Sequence, residues 1–443
     1  MRRKPRPGGG RQIEVTIEAL GARGDGLAKF DGRPVFVAQA LPGERMRVRL
    51  LGARAGGRRG EILELIEASP ARRAPPCPQF GACGGCSLQH LDDDAYVRWK
   101  RERVVQALAR RGFHAAPVAP LVRIAPGSRR RAVLSAAAGA TVGAVAGGKG
   151  EGTPVVRLGF LHRESHRVAD LASCLVLTPG LVALVAPLRA ALAPLMVGGE
   201  RWSLTVSETE AGVDLCLAAG RPPALRDREA LAAFAESHDL ARLCWRHGGE
   251  AAEPIAVRRP PVVTFGRVAV TPPPGGFLQP SRAGEAALAA LVLEAVPGDA
   301  ARIADLYSGC GTFTFRLAER AAVSAFEGDA TALAALDAAA RRAGLAGRVS
   351  AHQRDLARQP LSVEELDPFA CVVFDPPRAG AKAQAETIAR ARVPRVVAVS
   401  CEPATFARDA RILADGGYRL TSVVPLDQFA WSGHVELVAV FDR

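Results

Sequence analysis

The chain has 443 residues, too many for one ordinary core, and 48% of them are hydrophobic, so two or three well-packed domains are expected. A formal net charge of +13 favours a polyanionic partner such as nucleic acid, although only five of the 58 cations are Lys and the Arg-rich composition supplies part of that charge by itself. No stretch qualifies as a membrane span, and the long uncharged run of residues 132–148 is mostly Ala and Gly; the basic arm MRRKPRPGGGRQ has no apolar core and is no signal peptide.

Residues 12–68 alternate apolar and polar side chains between the turn signals Gly24-Asp25-Gly26, Asp31-Gly32 and Pro42-Gly43. Four or five short strands in this length predict a small closed β-barrel of the oligonucleotide-binding class over 10–68. Arg45, Arg47, Arg49, Arg54, Arg58 and Arg59 on or near its later strands point it toward RNA, and the basic arm before it is either a phosphate contact or a disordered tail. A linker, SPARRAPP, follows at 69–76.

Cys77, Cys83 and Cys86 then form C-x5-C-x2-C, with Gly81, Gly84 and Gly85 letting the backbone wrap something small. With nine cysteines in all, this clustering suggests a reducing, cytoplasmic setting and a metal site rather than disulfides. Zinc is one occupant. A cluster with a fourth, distant ligand fits the spacing better, and Cys174 in ASCLVL is the candidate.

Residues 92–113 predict a helix with Asp92, Asp93 and Asp94 at its N-terminus and Val97, Val104 and Leu108 on one face, packing on the C-terminal domain. The central region, 77–265 with the cysteines included, reads as β-rich. Arg129, Arg130, Arg131, His162 and Arg163 meet either RNA or solvent there.

From 266 to 443 strand and helix alternate, the pattern of a doubly wound α/β domain of Rossmann-like type. Ser281 caps a helix after the loop PPPGGFLQPS. The turn Asp305-Leu-Tyr-Ser-Gly309-Cys-Gly311 follows one strand, and Glu327 closes the next. Glycines there admit a ligand to the backbone, and an acid at the second strand end accepts ribose hydroxyls; the D-x-x-x-G-x-G form fits S-adenosylmethionine, whereas a dinucleotide site would need a third glycine.

Asp375-Pro376-Pro377-Arg378 ends the apolar strand CVVF and holds a rigid carboxylate for a base edge; Arg378, where amino-directed enzymes place an aromatic, argues against amine methylation. Cys401 ends the strand VVAVS and supplies a nucleophile. Carbon 5 of uracil becomes reactive when a thiolate adds at carbon 6, and a base must then remove the carbon 5 proton. Glu436, at the start of VELVAVF, or His434 is placed for that step, the strand being read as a sheet edge. Cytosine-5 methylation would want a Pro-Cys nucleophile, which the α/β domain lacks.

Together these motifs resemble the RNA uracil-5-methyltransferases that carry a TRAM barrel and an iron–sulfur cluster. The resemblance implies methylation of carbon 5 of a specific uridine in structured RNA through a covalent cysteine adduct, with ribosomal RNA (23S) favoured over transfer RNA. It implies S-adenosyl-L-methionine and a [4Fe-4S] cluster as cofactors, the latter on Cys77, Cys83, Cys86 and Cys174. Gln279, Tyr307, Gly309, Thr312, Glu327, Asp355 and Asp375 would line the methyl donor or its neighbourhood, Cys401 would be the nucleophile and Glu436 the base, with Asp375 beside them. Departures from the family pattern are Glu402, Thr312 and Ala430-Trp431. A monomer with no membrane or obligate protein partner is expected. The alternative from another class is a non-catalytic iron–sulfur RNA-binding protein, which intact Cys401, Asp375 and Glu436 disfavour.

Overall fold

The computed structural model describes residues 10–54, 56–141 and 154–443; the first nine residues of the basic arm and the end of the long uncharged run lie outside them. The chain makes two compact units, Met1–Arg103 with Trp431–His434, and Val104–Ala430 with Val435–Arg443.

In the first unit the alternating segments become β1 (Gln12–Thr16), β2 (Ala19–Leu20), β3 (Gly26–Phe30), β4 (Arg33–Val37), β5 (Arg45–Arg54) and β6 (Gly57–Glu67), in the sheet order β1-β5-β6-β4-β3-β2. Ile13, Val15, Val35, Val37, Met46 and Val48 point inward at every second position and make the core. The Glu18 N–H donates to Leu27 O at 2.8 Å, so the chain leaving β1 lands on β3 and the sheet curls on itself. Helix α1 (Asp93–Ala109) starts where Asp92 accepts the Ala95 N–H at 2.9 Å. Its first turns bury Tyr96 and Lys100, four residues apart, and the Lys100 Nζ donates to His434 O. Trp431 donates its N–H to the Tyr96 hydroxyl at 2.9 Å, which ties the 431–434 segment into this unit.

The second unit takes the end of α1, with Val104 and Leu108 fully buried. Next come β7 (Val122–Arg123), β8 (Arg131–Thr141), β9 (Pro154–Gly159), α2 (Pro179–Leu192), β10 (Arg201–Thr209), β11 (Gly212–Ala219), α3 (Leu225–Ser237), β12 (Arg242–His247) and β13 (Glu253–Val257). The six strands other than β7 form one sheet, β13-β12-β11-β10-β8-β9, with α2 and α3 contributing to the core around Trp202, Leu204, Leu217 and Trp245. The region read as β-rich therefore also holds two helices.

A small hairpin, β14 (Val263–Phe265) and β15 (Val268–Val270), precedes the last sheet. That sheet is built from α4 (Arg282–Ala295), β16 (Arg302–Leu306), α5 (Thr314–Leu317), β17 (Ala322–Glu327), α6 (Ala330–Arg342), β18 (Val349–Gln353), α7 (Val363–Leu366), β19 (Cys371–Phe374), α8 (Lys382–Ile388), β20 (Arg395–Ser400), α9 (Pro403–Asp415), β21 (Arg419–Asp427) and β22 (Glu436–Asp442). The order is β18-β17-β16-β19-β20-β22-β21-β7, with β18 to β20 parallel. Alternate residues of the same strands feed two separate cores, Val396 and Ala398 one, Val397 and Val399 the other, so both faces are covered. One expectation is corrected. β22 is no edge strand: it lies between β20 and β21, antiparallel to both, because the unanticipated segment RLTSVVPLD pairs along it.

Candidate active site

The strand order reverses between β16 and β19, and a crevice opens at the carboxyl ends of a parallel sheet at such a point. The predicted site residues follow those ends: Tyr307, Gly309 and Thr312 after β16, Glu327 ending β17, Asp355 after β18, Asp375 after β19 and Cys401 after β20. Because β22 runs antiparallel, its first residue reaches the same rim. Ser400 pairs with Leu437, so the next step along the register sets Cys401 beside Glu436.

The Gly309 N–H donates to Glu327 Oε2 at 2.9 Å, and the Asp329 N–H to Glu327 Oε1 at 2.8 Å. Glu327 thus braces the turn as well as ending its strand. Tyr307 (φ 62°), Gly309 (φ 57°) and Gly311 (φ 103°) all take left-handed backbone, and a Cβ added at Gly309 would meet nothing within 4 Å. The buried Ser308 Oγ and Asp305 Oδ1 have no partner, although Asp305 Oδ2 accepts from Thr314 Oγ1 at 2.5 Å. Open space at a Gly-rich turn, orphaned polar atoms and a carboxylate opposite fit a nucleoside-bearing cofactor. Asp355 is exposed and accepts the Ala357 N–H at 3.1 Å, while Thr312 offers its carbonyl to Arg316 Nη1 at 2.6 Å.

Gln279 Nε2 donates to Asp375 Oδ2 at 3.3 Å, so the 272–281 loop joins the site. Burial pushes the Asp375 carboxyl up to about 7. Burial likewise pushes Asp305 up to about 7, with Asp375 and Glu327 adding to it. Burial drives the Cys401 thiol up to about 12, Glu436 and Asp375 push the same way, and Arg378 opposes them. Glu436, Asp375 and Arg378 therefore each lie within electrostatic reach of Cys401. Glu436 is buried, at 4% exposure. His434 belongs to the first unit.

Some expected residues sit elsewhere or act otherwise. Cys77, Cys83 and Cys86 lie on a turn-rich loop of the first unit and Cys174 lies in the second. Gly81 takes φ 91°, and the Gly85 N–H donates to Cys83 Sγ at 3.4 Å. Three thiols on one loop have the donor chemistry of a soft-metal site, but among the described residues no group of three or more His, Cys, Asp or Glu is gathered to hold a metal ion. The barrel arginines are paired: Arg45 with Glu14 and Glu67, Arg47 with Glu14 and Glu64, Arg49 with Glu61. Arg130 is buried against Glu285 at 2.6 Å rather than meeting RNA or solvent, and Glu285 also holds Arg316 at 3.0 Å. No local motif marks this triad, whose members stand far apart in sequence.

A TRAM domain family model matches residues 9–63, and one described as tRNA (Uracil-5-)-methyltransferase matches 272–443. An uncharacterized RNA methyltransferase of Brucella suis is 44% identical over 430 residues, covering 97% of this chain and 98% of its own. The 23S rRNA (uracil(1939)-C(5))-methyltransferase RlmD of Chromohalobacter salexigens is 36% identical over 446 residues, covering 97% and 89%. The chain belongs to the RNA uracil-5-methyltransferase family. Among solved structures, the tRNA (uracil-54, C5)-methyltransferase of Pyrococcus abyssi, in complex with S-adenosyl-L-homocysteine, superposes with a TM-score of 0.72 at 24% identity, covering 97% of this chain and 99% of that one, a likeness of fold. Within the family, the α/β rim just described is the candidate active site.

Proposed function

We propose that this methyltransferase modifies carbon 5 of one uridine in structured RNA, ribosomal RNA rather than transfer RNA, through a covalent adduct on Cys401. The observation that carries the reading is the register of β20 and β22, which sets a thiol and a buried carboxylate side by side at the open rim. The relative named for 23S rRNA supports the choice of RNA, being similar over 97% of this chain. Asp375 and Gln279 orient the base. Cys401, held as a neutral thiol in the free protein, gives its proton to solvent once the base is in place, with Arg378 the cation that favours the anion. Its sulfur adds to carbon 6, and the electron pair makes carbon 5 nucleophilic. S-adenosylmethionine, when bound at the Gly309–Gly311 turn, supplies the electrophilic methyl group. Glu436 then takes the carbon 5 proton, and the returning electron pair expels the Cys401 sulfur.

The test separates the two steps. Cys401→Ala neither methylates RNA nor traps it, whereas Glu436→Gln accumulates a methylated protein–RNA adduct that survives denaturing gels. Methylation by Cys401→Ala would overturn the nucleophile. Normal turnover of Glu436→Gln would move the base elsewhere, with His434 next.

Cys77, Cys83, Cys86 and Cys174 are proposed as ligands of a [4Fe-4S] cluster, on their donor chemistry and the Gly-turned loop; no step of the reaction passes through it. Anaerobically purified protein is expected to be brown with about four irons per chain, lost in Cys83→Ser. Stoichiometric zinc without visible absorption would overturn the cluster.

A further inference from the structure

Gln428 follows β21 and is buried. Its Nε2 donates to Gln279 Oε1 at 2.8 Å, and Gln279 Nε2 donates to Asp375 Oδ2 at 3.3 Å. Above about pH 7, where Asp375 is ionised, the polarity of this relay is set by that last member, since an ionised carboxylate only accepts. Gln279 must turn its amide N–H to Asp375, its oxygen then faces Gln428, and Gln428 must offer N–H in turn. The cost falls at the far end: Gln428 Oε1 is buried without a partner. An orphaned buried amide oxygen is destabilising, a cost that an apolar side chain of similar size would avoid. Packing alone therefore does not account for an amide here. Space is made for it at Gly284 of α4, where a Cβ would lie 2.3 Å from Gln428 Oε1. Arg130 Nε holds the other end of Gln279, donating to its backbone oxygen at 3.3 Å.

We propose that Gln428 is a positioning residue that fixes the amide of Gln279, so that Gln279 and Asp375 read a uracil edge and reject a cytosine edge. The inference rests on the reading that these two side chains face the base. Held this way, the pair offers a carboxylate acceptor for the N3–H of uracil and an amide N–H for an adjacent carbonyl. Cytosine presents the opposite pattern, an acceptor at N3 beside an amino donor. A flipped Gln279 would put its oxygen against Asp375 and complement cytosine once that carboxyl carried a proton.

The experiment uses full-length enzyme with its cofactors, an unmodified 23S rRNA transcript and labelled S-adenosylmethionine, comparing Gln428→Leu and Gln428→Glu with the parent. Gln428→Leu is expected to lower kcat about tenfold, as misoriented contacts to a reacting group do, with KM for RNA, S-adenosylhomocysteine affinity and Tm little changed. The acid limb of its pH–kcat profile moves upward, because Asp375 loses a donor to its ionised form. The charge of Asp375 acts on Asp305 on β16 and on Cys401 after β20, and Glu436 on β22 and Arg378 on the Asp375 loop act on that same thiol. Gln428→Glu is expected to lose more than Gln428→Leu at pH 8 and to recover part of it near pH 6, because burial at this position raises the Glu carboxyl so that a protonated fraction again donates to Gln279. A parental kcat and pH profile in Gln428→Leu overturns the proposal, as does loss in both variants that follows Tm equally at every pH. Cys401→Ala run alongside distinguishes the two readings: its activity would sink the nucleophile, while a dead Cys401→Ala with a parental Gln428→Leu sinks only the relay.

Discussion

Cys401 shows how far burial works against the chemistry proposed for it. A thiol pushed up to about 12 holds its proton at neutral pH, and thiolate, not thiol, is the nucleophile. Alkylation of Cys401 by iodoacetamide in the free enzyme is therefore expected to be slow at pH 7.5, as read by mass spectrometry of the modified peptide. Glu436→Gln removes one of the charges that raise the thiol, so it is expected to speed that alkylation while blocking product release. Parental or slower alkylation would mean the charge of Glu436 does not reach the sulfur. Asp305 gives a second, independent test. Its carboxyl moves from 3.8 in the unfolded chain to about 7 in the fold, chiefly through burial. The folded state then binds the proton more tightly than the unfolded state, so its contribution is fully present below pH 3.8 and is lost as pH rises through 7. Asp305→Asn keeps an acceptor for Thr314 and removes the titration. It is expected to be more stable than the parent at pH 8 and to flatten the loss of stability between pH 4 and 7, measured by urea unfolding of the cofactor-free protein.

At the scale of single elements, strand β5 carries the Arg45, Arg47 and Arg49 that suggested an RNA-binding face. Each is matched across strands by Glu on β1 or β6, so the strand presents a nearly neutral ladder. Replacing all three by Gln is expected to leave the salt dependence of RNA affinity unchanged. Contact with phosphates would instead remove about one unit of log–log slope per arginine. Each exposed pair contributes only about 0.2–1 kcal/mol, so a small drop in barrel stability is the expected cost. The contrast marks what was legible in sequence. Strand alternation, the Ser281 cap and the D-x-x-x-G-x-G turn are local, so the barrel, the doubly wound domain and the Gly309 loop could be read directly. The Arg–Glu ladder joins positions 12 to 33 residues apart, and Gln428 reaches Gln279 over 149 residues, distances at which no local pattern signals pairing. β21 was hidden for another reason. Pro425 interrupts its run and argues for a loop. It stands just before the two-residue pairing with β7 begins at Leu426.

Across the second unit as a whole, one buried ionic triad ties β8 of the middle sheet to α4 and α5, whose apolar residues belong to a different core. Arg130, leading into β8 of the middle sheet, binds Glu285 on α4, which also binds Arg316 on α5. Each arginine also grips a backbone oxygen of the site, Arg130 that of Gln279 at 3.3 Å and Arg316 that of Thr312 at 2.6 Å. The triad thus spans from the loop that meets Asp375 to the turn proposed to hold the methyl donor. Glu285→Gln leaves two cations facing each other with little solvent, Arg130 at 5% and Arg316 at 15% exposure, so a loss of about 3–5 kcal/mol is expected in chemical unfolding. Stability alone would not reveal the role, because replacing a whole buried triad with apolar residues of similar size is often neutral. The decisive variant is Arg130→Met, Glu285→Leu and Arg316→Met combined. If the triad serves only the core, this variant recovers both Tm and methylation. If it positions the two loops, Tm recovers while S-adenosylhomocysteine affinity and kcat stay low, since neither backbone oxygen regains its donor. The second outcome is the one expected, read by calorimetry, ligand titration and transfer of labelled methyl to RNA on the same preparation.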